Sequence, residues 1–243
     1  MIRSSLRLYH TSRLLRPMIN RNTPALGTGL IRTESFPTRF KSSIPVASEK
    51  PEQVQENPGF LKRVAQKLFH TSRGKYIALG VLLYEKCANE PNFIEFIKVL
   101  ELPDTFNSWF LMTELHVWMV MTKCIGLENN GRHMRNAMVK TLWDDCSDRM
   151  KKLQVPRRGA VLQTLDHQLR AAVFAYDEGI MTSDVVLASA LWRRLYSDDS
   201  ADIKSKQLEI LVSYVRRQIE ELHKISDEEF TKRPSFKWVS LKE

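Results

Sequence analysis

Apolar residues recur at helical spacing through most of the chain from residue 59 onward, and this pattern constrains the fold more than any other feature. In three stripes the spacing is i, i+3, i+4 and i+7, or its close equivalent, so each stripe forms one face of a helix. Such a face must be buried against another element. The stripes are Val139, Leu142, Trp143, Cys146, Met150 and Leu153; Leu162, Leu165, Leu169, Ala172, Val173 and Tyr176; and Leu208, Leu211, Val212, Val215, Ile219 and Leu222. The sequence therefore predicts an all-α fold.

The body of the chain is predicted to be a single domain of about eight mostly antiparallel amphipathic helices, since short connections favour antiparallel neighbours. This domain is expected over residues 59–231, followed by a C-terminal tail over 232–243. Beside the three stripes, the predicted helices include Phe60–Ser72, Tyr76–Ala88, Asn92–Leu100 and Asp184–Leu195.

Capping signals indicate where some of these helices begin and end. Asp104 is the expected N-cap of a helix over Thr105–Cys124, and Ser226 with Glu229 forms a capping box for a short last helix. Glycine commonly closes a helix because it adopts the left-handed backbone conformation without strain. Helix ends are therefore expected near Gly126, Gly131 and Gly179.

The helix over Thr105–Cys124 differs from the others because it is apolar nearly all round. We favour a central core helix, which must be covered on every side. The alternative is a partly open groove that receives an apolar client, since flexible methionines suit adaptable binding surfaces. On that alternative the candidate protein-binding residues are Trp109, Phe110, Met112, Trp118 and Met119.

The first 43 residues carry most of the net charge of +9. They hold eight basic residues and one acid, whereas the remaining 200 residues are close to neutral. An Arg-, Ser- and Leu-rich segment almost free of acids is typical of a mitochondrial transit peptide, which we predict to be disordered over 1–43. Residues 44–58 contain three prolines among polar residues and are predicted to be a linker. The alternative for the first segment is a basic arm that binds nucleic acid.

Because the body of the chain is nearly neutral, its overall charge does not favour binding to nucleic acid, and no DNA partner is predicted. The longest apolar run, Tyr76–Tyr84, has nine residues, far fewer than the ~18–20 that span a bilayer. Membrane contact is therefore expected to be peripheral. The three cysteines are widely spaced, which fits free thiols in a reducing compartment.

Several common motifs for catalysis, metal binding or cofactor binding are absent from the sequence. Neither HExxH nor CxxC occurs, and GxGxxG, Walker and GxSxG motifs are missing too. Cys146 lies on an apolar stripe, so we interpret it as a core residue and not as a nucleophile. Asp144, Asp145 and Asp148 are interpreted as a solvated face, with a metal or acid–base site as the alternative. We accordingly predict no catalytic residues, no metal and no cofactor.

Two charged clusters remain as candidate binding sites. Asp177 and Glu178 lie near a helix end, where negative charge opposes the helix dipole by roughly 0.3–1 kcal/mol. Such a violation often marks a site or a compensating partner, and Arg193 and Arg194 are the expected partners. A structural ion pair is the default interpretation, and a protein-docking surface is the alternative.

The second cluster is a basic run without an acid or an interleaved aromatic residue. It can contact ribosomal RNA phosphates, although a solvated loop is the simpler interpretation. Its members are Arg149, Lys151, Lys152, Arg157 and Arg158.

Three stretches together resemble a known family: LPDTFNSWFLMTELHVWMVM from Leu102, LWDDCSDRM from Leu142 and AYDEGIMTSDVVLASALWRRLY from Ala175. They are similar to the ubiquinol–cytochrome c chaperone family, the cytochrome b assembly factors of respiratory complex III. The resemblance implies an all-α mitochondrial protein on the matrix face of the inner membrane. It also implies binding to newly made cytochrome b, to a small second assembly factor in a heterodimer, and in some lineages to the exit region of the mitochondrial ribosome. It carries over no catalytic residue.

Three functions are therefore weighed. The first is an assembly chaperone for complex III that binds newly made cytochrome b and is not an enzyme. The second is an all-α enzyme or binder of a quinone or prenyl ligand that uses Asp177, Glu178 and His116. The third is a mitoribosomal RNA-binding factor that uses the basic run.

Overall fold

The structure, a computed structural model, describes residues 72–196, 205–232 and 234–242. Within these ranges it contains eight helices and no strand, so the predicted all-α fold is confirmed. The predicted transit peptide, the linker and nearly all of the predicted helix Phe60–Ser72 lie outside the described residues. The helices are α1 (Ser72–Asn89), α2 (Phe93–Leu100), α3 (Phe106–Ile125), α4 (Glu128–Lys152), α5 (Arg158–Met181), α6 (Asp184–Leu195), α7 (Ser205–Lys224) and α8 (Asp227–Lys232).

Helix α3 is the centre of the domain. Every residue from 110 to 121 is buried, because α1, α2, α4, α6 and α7 all pack against this helix, and α5 contacts it through Trp118. The favoured interpretation of a central core helix is thereby confirmed. The apolar stripes of the neighbouring helices face the core, and Cys146 is fully buried among them as expected. The exception is Leu153, which the sequence placed on the first stripe: it lies one residue beyond the end of α4 and is 59% exposed.

Side-chain caps begin several helices. The cap of α3 is Thr105, whose Oγ1 accepts the Ser108 N–H at 3.3 Å, so the expectation that Asp104 serves as the N-cap was wrong by one residue. Ser226 Oγ accepts the Glu229 N–H at 3.2 Å ahead of α8, as the predicted capping box requires.

Two of the three glycines expected at helix ends lie inside helices. Gly126 does close α3, but Gly131 lies in the first turn of α4 and Gly179 lies before the end of α5. A Cβ at Gly131 would be 1.9 Å from the Cys124 carbonyl oxygen, and one at Gly179 would be 2.6 Å from the Leu187 Cα. Glycine is required at both positions because another backbone approaches too closely for a side chain.

Two pairs of helices that are adjacent in sequence pack antiparallel, α3 with α4 and α5 with α6; in the second pair Gly179 approaches Leu187 and Arg194 donates to Gln168. In α3 and α4, for example, Phe110 stacks on Trp143, whereas the Cys124 carbonyl accepts a hydrogen bond from Arg135. Helices α3 and α7, which are distant in sequence, run parallel.

The segment 234–242, which the sequence assigns to a tail, packs across the domain without helix or strand. Phe236 and Leu241 are buried, and the Trp238 Nε1–H donates to the Lys86 carbonyl oxygen at 3.1 Å. Gln218 of α7 holds the segment through its backbone, because its Oε1 accepts the Val239 N–H at 2.7 Å. These residues therefore cover part of the core.

Candidate functional site

A buried ion pair links the central helix to α6. Glu114 is fully buried in α3, and both of its carboxylate oxygens accept hydrogen bonds of 2.8 Å from the Arg194 guanidinium. Burial alone would lower the pKa of Arg194, but its bonds to Glu114 outweigh this and raise that pKa. The bidentate geometry fixes the position of α6 along α3.

This pairing corrects the expectation that Arg194 compensates Asp177 or Glu178. Asp177 instead accepts a hydrogen bond of 2.9 Å from Trp118 Nε1–H at Oδ1, and its buried Oδ2 has no hydrogen-bond partner. Burial raises the pKa of this carboxyl group to about 6, although the Trp118 bond acts in the opposite direction. Glu178 and Arg193 are exposed to solvent. The carbonyl end of α5 is satisfied by Arg216, whose guanidinium donates to the carbonyl oxygens of Ile180 and Gly179.

Exposed apolar side chains lie on the helix that carries Asp177 and at the start of the next helix. Phe174 and Met181 are 51% and 56% exposed on one face of α5, with Glu178 between them at helical spacing. Val185, near the start of α6, is 78% exposed. We call these four residues the α5–α6 surface.

The buried His116 joins α3 to α7. Its Nδ1–H donates to the Met112 carbonyl oxygen at 2.6 Å, so the neutral ring accepts the Tyr214 hydroxyl proton at Nε2, over 2.8 Å. Aromatic rings of α2 and of the C-terminal segment, those of Phe96 and Trp238, contact the imidazole edge-on. Burial lowers the pKa of His116 to about 4. The imidazole therefore serves as a structural link.

One member of the basic run is held inside the domain. The Arg149 guanidinium lies 4.0 Å from the centre of the Trp109 ring, and its Nε–H donates to Asp145 at 3.0 Å. Asp145 also accepts the Tyr84 hydroxyl at 2.6 Å, so the chain of contacts joins α1, α3 and α4. Arg149 is thus committed to intramolecular partners.

The other four members of the basic run surround the turn between α4 and α5, which we call the 151–158 loop. Lys151, Lys152, Arg157 and Arg158 are exposed, and no ion pair joins any of them to the described residues. No acidic residue occurs between Asp148 and Asp166 in the sequence. The structure therefore presents these cations to solvent at the end of α4, in the turn and at the start of α5.

The sequence of this helical domain matches known proteins. A sequence model of the family described as ubiquinol-cytochrome C chaperone matches residues 98–238, more than half of the chain. The chain belongs to the ubiquinol–cytochrome c chaperone family. The resemblance stated from the sequence is thereby confirmed.

Relatives of this family member cover most of the chain. A Drosophila melanogaster protein named ubiquinol-cytochrome c reductase complex assembly factor 1 is 41% identical over 192 residues, which are 75% of this chain and 73% of that protein. The Homo sapiens protein of the same name is 32% identical over 209 residues, which cover 82% of this chain and 69% of the relative. The Saccharomyces cerevisiae protein CBP3, named as mitochondrial, is 34% identical over 140 residues, 56% of this chain and 42% of that protein.

A solved structure shares the fold of this chaperone-family domain. The crystal structure of the Cbp3 homolog from Brucella abortus superposes with a TM-score of 0.61 at 19% identity and covers 72% of this chain and 97% of the other. The likeness establishes the all-α fold.

The structure places most of the predicted binding residues of this family member in its core. Phe110, Met112, Trp118 and Met119 are at most 1% exposed, and Trp109 is half-buried beneath Arg149. Glu178 and the 151–158 loop are the predicted candidates that face solvent.

The same domain contains no cluster of three His, Cys, Asp or Glu side chains suited to a metal ion among its described residues. All three cysteines are free and buried, and burial raises the pKa of the Cys124 thiol to about 12. The shallow hollows beside Arg157 and beside Glu228 are open to solvent. Within the described ranges, no helix is both long and apolar enough to cross a membrane.

Sequence reasoning missed the Glu114–Arg194 pair and the exposed Phe174 and Met181. A signal for the first was present, because Glu114 is the one acid within the apolar helix α3 and a buried acid requires a partner. The exposed residues gave no comparable signal, since their apolar character alone does not separate core from surface.

Proposed function

We propose that the chain is an assembly chaperone for ubiquinol–cytochrome c reductase, complex III, in mitochondria. In this proposal it acts at the matrix side of the inner membrane, where it binds newly made cytochrome b together with a small second assembly factor. The observation that carries the proposal is the match to the ubiquinol–cytochrome c chaperone family, together with relatives named as assembly factors of this complex.

The α5–α6 surface supports protein binding. Its exposed apolar side chains, Phe174, Met181 and Val185, can pack against apolar segments of a client, and aromatic and methionine side chains are enriched at protein interfaces. Glu178 in the middle of this surface provides a charge that orients a basic partner. Trp118 supports the same function indirectly, because it contacts α5 through Tyr176 and Asp177.

A binding function without catalysis is also favoured by the groups that the enzyme alternative would use. His116 is engaged with Tyr214, and Asp177 with Trp118, so each carries a structural hydrogen bond. The proposal therefore assigns no catalytic residue, metal or cofactor.

The proposal is tested in cells depleted of the protein and complemented with variants. Without complementation, pulse-labelled cytochrome b should decay faster and assembled complex III should be lost, while the other respiratory complexes persist. Normal cytochrome b and normal complex III in depleted cells would contradict the proposal.

The role of the α5–α6 surface is tested by complementation with Phe174→Ser plus Met181→Ser. This double variant should still fold, because about half of each side chain is already exposed to solvent. It should fail to stabilise cytochrome b. Ile94→Ser, at a residue that is 65% exposed on α2, is the matched control and should complement fully. Crosslinking mass spectrometry in intact mitochondria should detect crosslinks from α5 and α6 to cytochrome b or the second factor in the unchanged protein. Equal rescue by both variants would remove this surface from the proposal.

A further inference from the structure

The 151–158 loop combines a projecting apolar side chain with unpaired positive charge. Leu153 is 59% exposed, and Lys151, Lys152, Arg157 and Arg158 surround it in the sequence. Among the exposed large apolar residues of the described ranges, Leu153 alone has as many as five basic residues within five positions, of which Arg149 is engaged with Asp145 and Trp109. The function proposed above makes no use of this loop.

The backbone holds Leu153 in this exposed position. The Val155 N–H donates to the Met150 carbonyl oxygen at 3.0 Å, and the Gln154 N–H donates to the Lys151 carbonyl oxygen at 3.2 Å. Gln154 has a φ of 51°, so these bonds form a Schellman motif at the end of α4 with a residue other than glycine in the left-handed position. Val155 packs partly against the core, whereas Leu153 points away from it. The exposed leucine thus belongs to a defined turn.

Two of the charges on the loop, those of Lys151 and Lys152, lie in the last turn of α4, where positive charge is favourable to the helix dipole. No ion pair connects the four cations with the described residues, although Asp148 lies one helical turn before Lys151 and Lys152. Arg149 differs, since it is paired with Asp145 and stacked on Trp109. The loop therefore presents four cations and one leucine outward.

We propose that the 151–158 loop binds the surface of an anionic lipid bilayer. Leu153 inserts at the boundary between headgroups and acyl chains, and the four cations contact lipid phosphates. Basic residues near a negatively charged membrane contribute roughly fivefold each to binding, and an inserted apolar side chain adds to this. This inference rests on the membrane location in the proposed function and adds a contact site to it, and the vesicle measurements test that site without reference to complex III assembly.

Single-stranded RNA is a weaker match to the same surface. Sequence-tolerant RNA binding combines cations with aromatic side chains on which bases stack, and the loop contains no aromatic residue. An exposed leucine has no favourable role against a phosphate backbone, whereas it is stabilised in a bilayer interface. The lipid surface therefore accounts for both features of the loop.

The test requires a local readout, because residues 1–43 carry a net charge of +7 and themselves attract anionic vesicles. Leu153→Cys in the full chain is labelled with an environment-sensitive nitrobenzoxadiazole dye, since the three native cysteines are buried. Vesicles of phosphatidylcholine with phosphatidylglycerol at about 3:1 should shift its emission to the blue, and vesicles of phosphatidylcholine alone should not. Ile94→Cys with the same label is the control and should not shift. An unchanged emission at 153, or an equal shift at 94, would overturn the proposal.

A second measurement removes the charges and leaves the label out. Replacement of Lys151, Lys152, Arg157 and Arg158 by Gln should weaken partitioning of the full chain onto the anionic vesicles by about tenfold or more. The matched control replaces four other exposed cations by Gln and should retain most of the binding. These control positions are Lys98, Arg193, Lys206 and Lys237.

The same variants separate the lipid from RNA. Leu153→Ser should reduce vesicle binding severalfold and leave binding to a single-stranded RNA unchanged. Vesicle binding that survives both Leu153→Ser and the loop charge variant, with RNA binding lost in the latter, would overturn the proposal and assign the loop to RNA.

Discussion

The polar side chains of α3 and the cations of the 151–158 loop differ in where their partners lie. In α3, Glu114 is paired with Arg194 of α6, His116 with Tyr214 of α7, and Lys123 with Asp227 at 2.7 Å. None of the four loop cations has an ion pair within the described residues. The difference shows that buried polar groups specify which helices meet, whereas the loop charges are available to a partner outside the domain.

Removal of one partner of the Glu114–Arg194 pair should have the largest effect. Glu114→Leu leaves the guanidinium of a largely buried arginine without its carboxylate, so the free energy of unfolding should fall by about 3–5 kcal/mol. Urea denaturation measures the change. The double variant Glu114→Leu plus Arg194→Met should recover much of the loss, because no isolated charge then remains. A single-variant loss below about 1 kcal/mol would show that the pair does not organise α3 and α6.

The titration of His116 should make the domain less stable in acid. Its pKa is about 4 in the folded chain against about 6.5 unfolded, so the unfolded state binds the additional proton as the pH falls through that window. The contribution, about 3 kcal/mol, is fully present above pH 6.5 and is lost between pH 6.5 and 4. His116→Gln should flatten this part of the pH profile of unfolding free energy. An unchanged slope in the variant would contradict the buried neutral imidazole.

Glycine substitutions should distinguish a position where another backbone packs closely from a position that faces open space. Gly131→Ala should lower the free energy of unfolding by about 2–3 kcal/mol, because its Cβ would collide with the Cys124 carbonyl oxygen. Gly159→Ala, beside the 151–158 loop, meets nothing within 4 Å and should be stabilising by about 0.5–1 kcal/mol. Thermal unfolding of the two variants measures the direction and size of each change in stability. Equal shifts in the same direction would refute the close approach at Gly131.

Asp177 should act in the opposite pH direction to His116. Its pKa is raised to about 6, so the folded state retains a proton that the unfolded state loses as the pH rises above about 4. The protonated carboxyl group contributes about 2 kcal/mol to the free energy of unfolding, a value reduced because the group is partly exposed. This contribution is present below pH 4 and is lost as the pH rises to 6. The unfolding free energy of Asp177→Asn relative to the unchanged protein should therefore rise between pH 4 and 6. A constant difference over this range would exclude the raised pKa.

The loop cations should have the smallest effect on stability. Replacement of Lys151, Lys152, Arg157 and Arg158 by Gln should change the free energy of unfolding by less than about 0.5 kcal/mol, since they have no partner to lose within the domain. Urea denaturation of the variant used in the vesicle measurement provides the value. A loss above about 1 kcal/mol would mean that these charges stabilise the fold, and the contrast with α3 would disappear.

The sequence by itself determined the helical class, the central position of α3 and the family. Apolar periodicity is a local property, so it survives without knowledge of which helices meet. An all-round apolar helix such as α3 has no stable position other than a covered one. The same locality explains why Ser226 was identified correctly as the capping residue of α8, since its hydroxyl bonds to the N–H of a residue only three positions away.

Only the tertiary structure decided the pairings and the close approaches. Glu114 meets Arg194 across 80 residues, and His116 meets Tyr214 across 98, so neither partner can be read from neighbouring positions. Gly131 and Gly179 resemble helix ends in the sequence because glycine serves both purposes, and only the approach of Cys124 and Leu187 separates them. Long-range contacts depend on how whole helices are placed, and a linear pattern does not contain that placement.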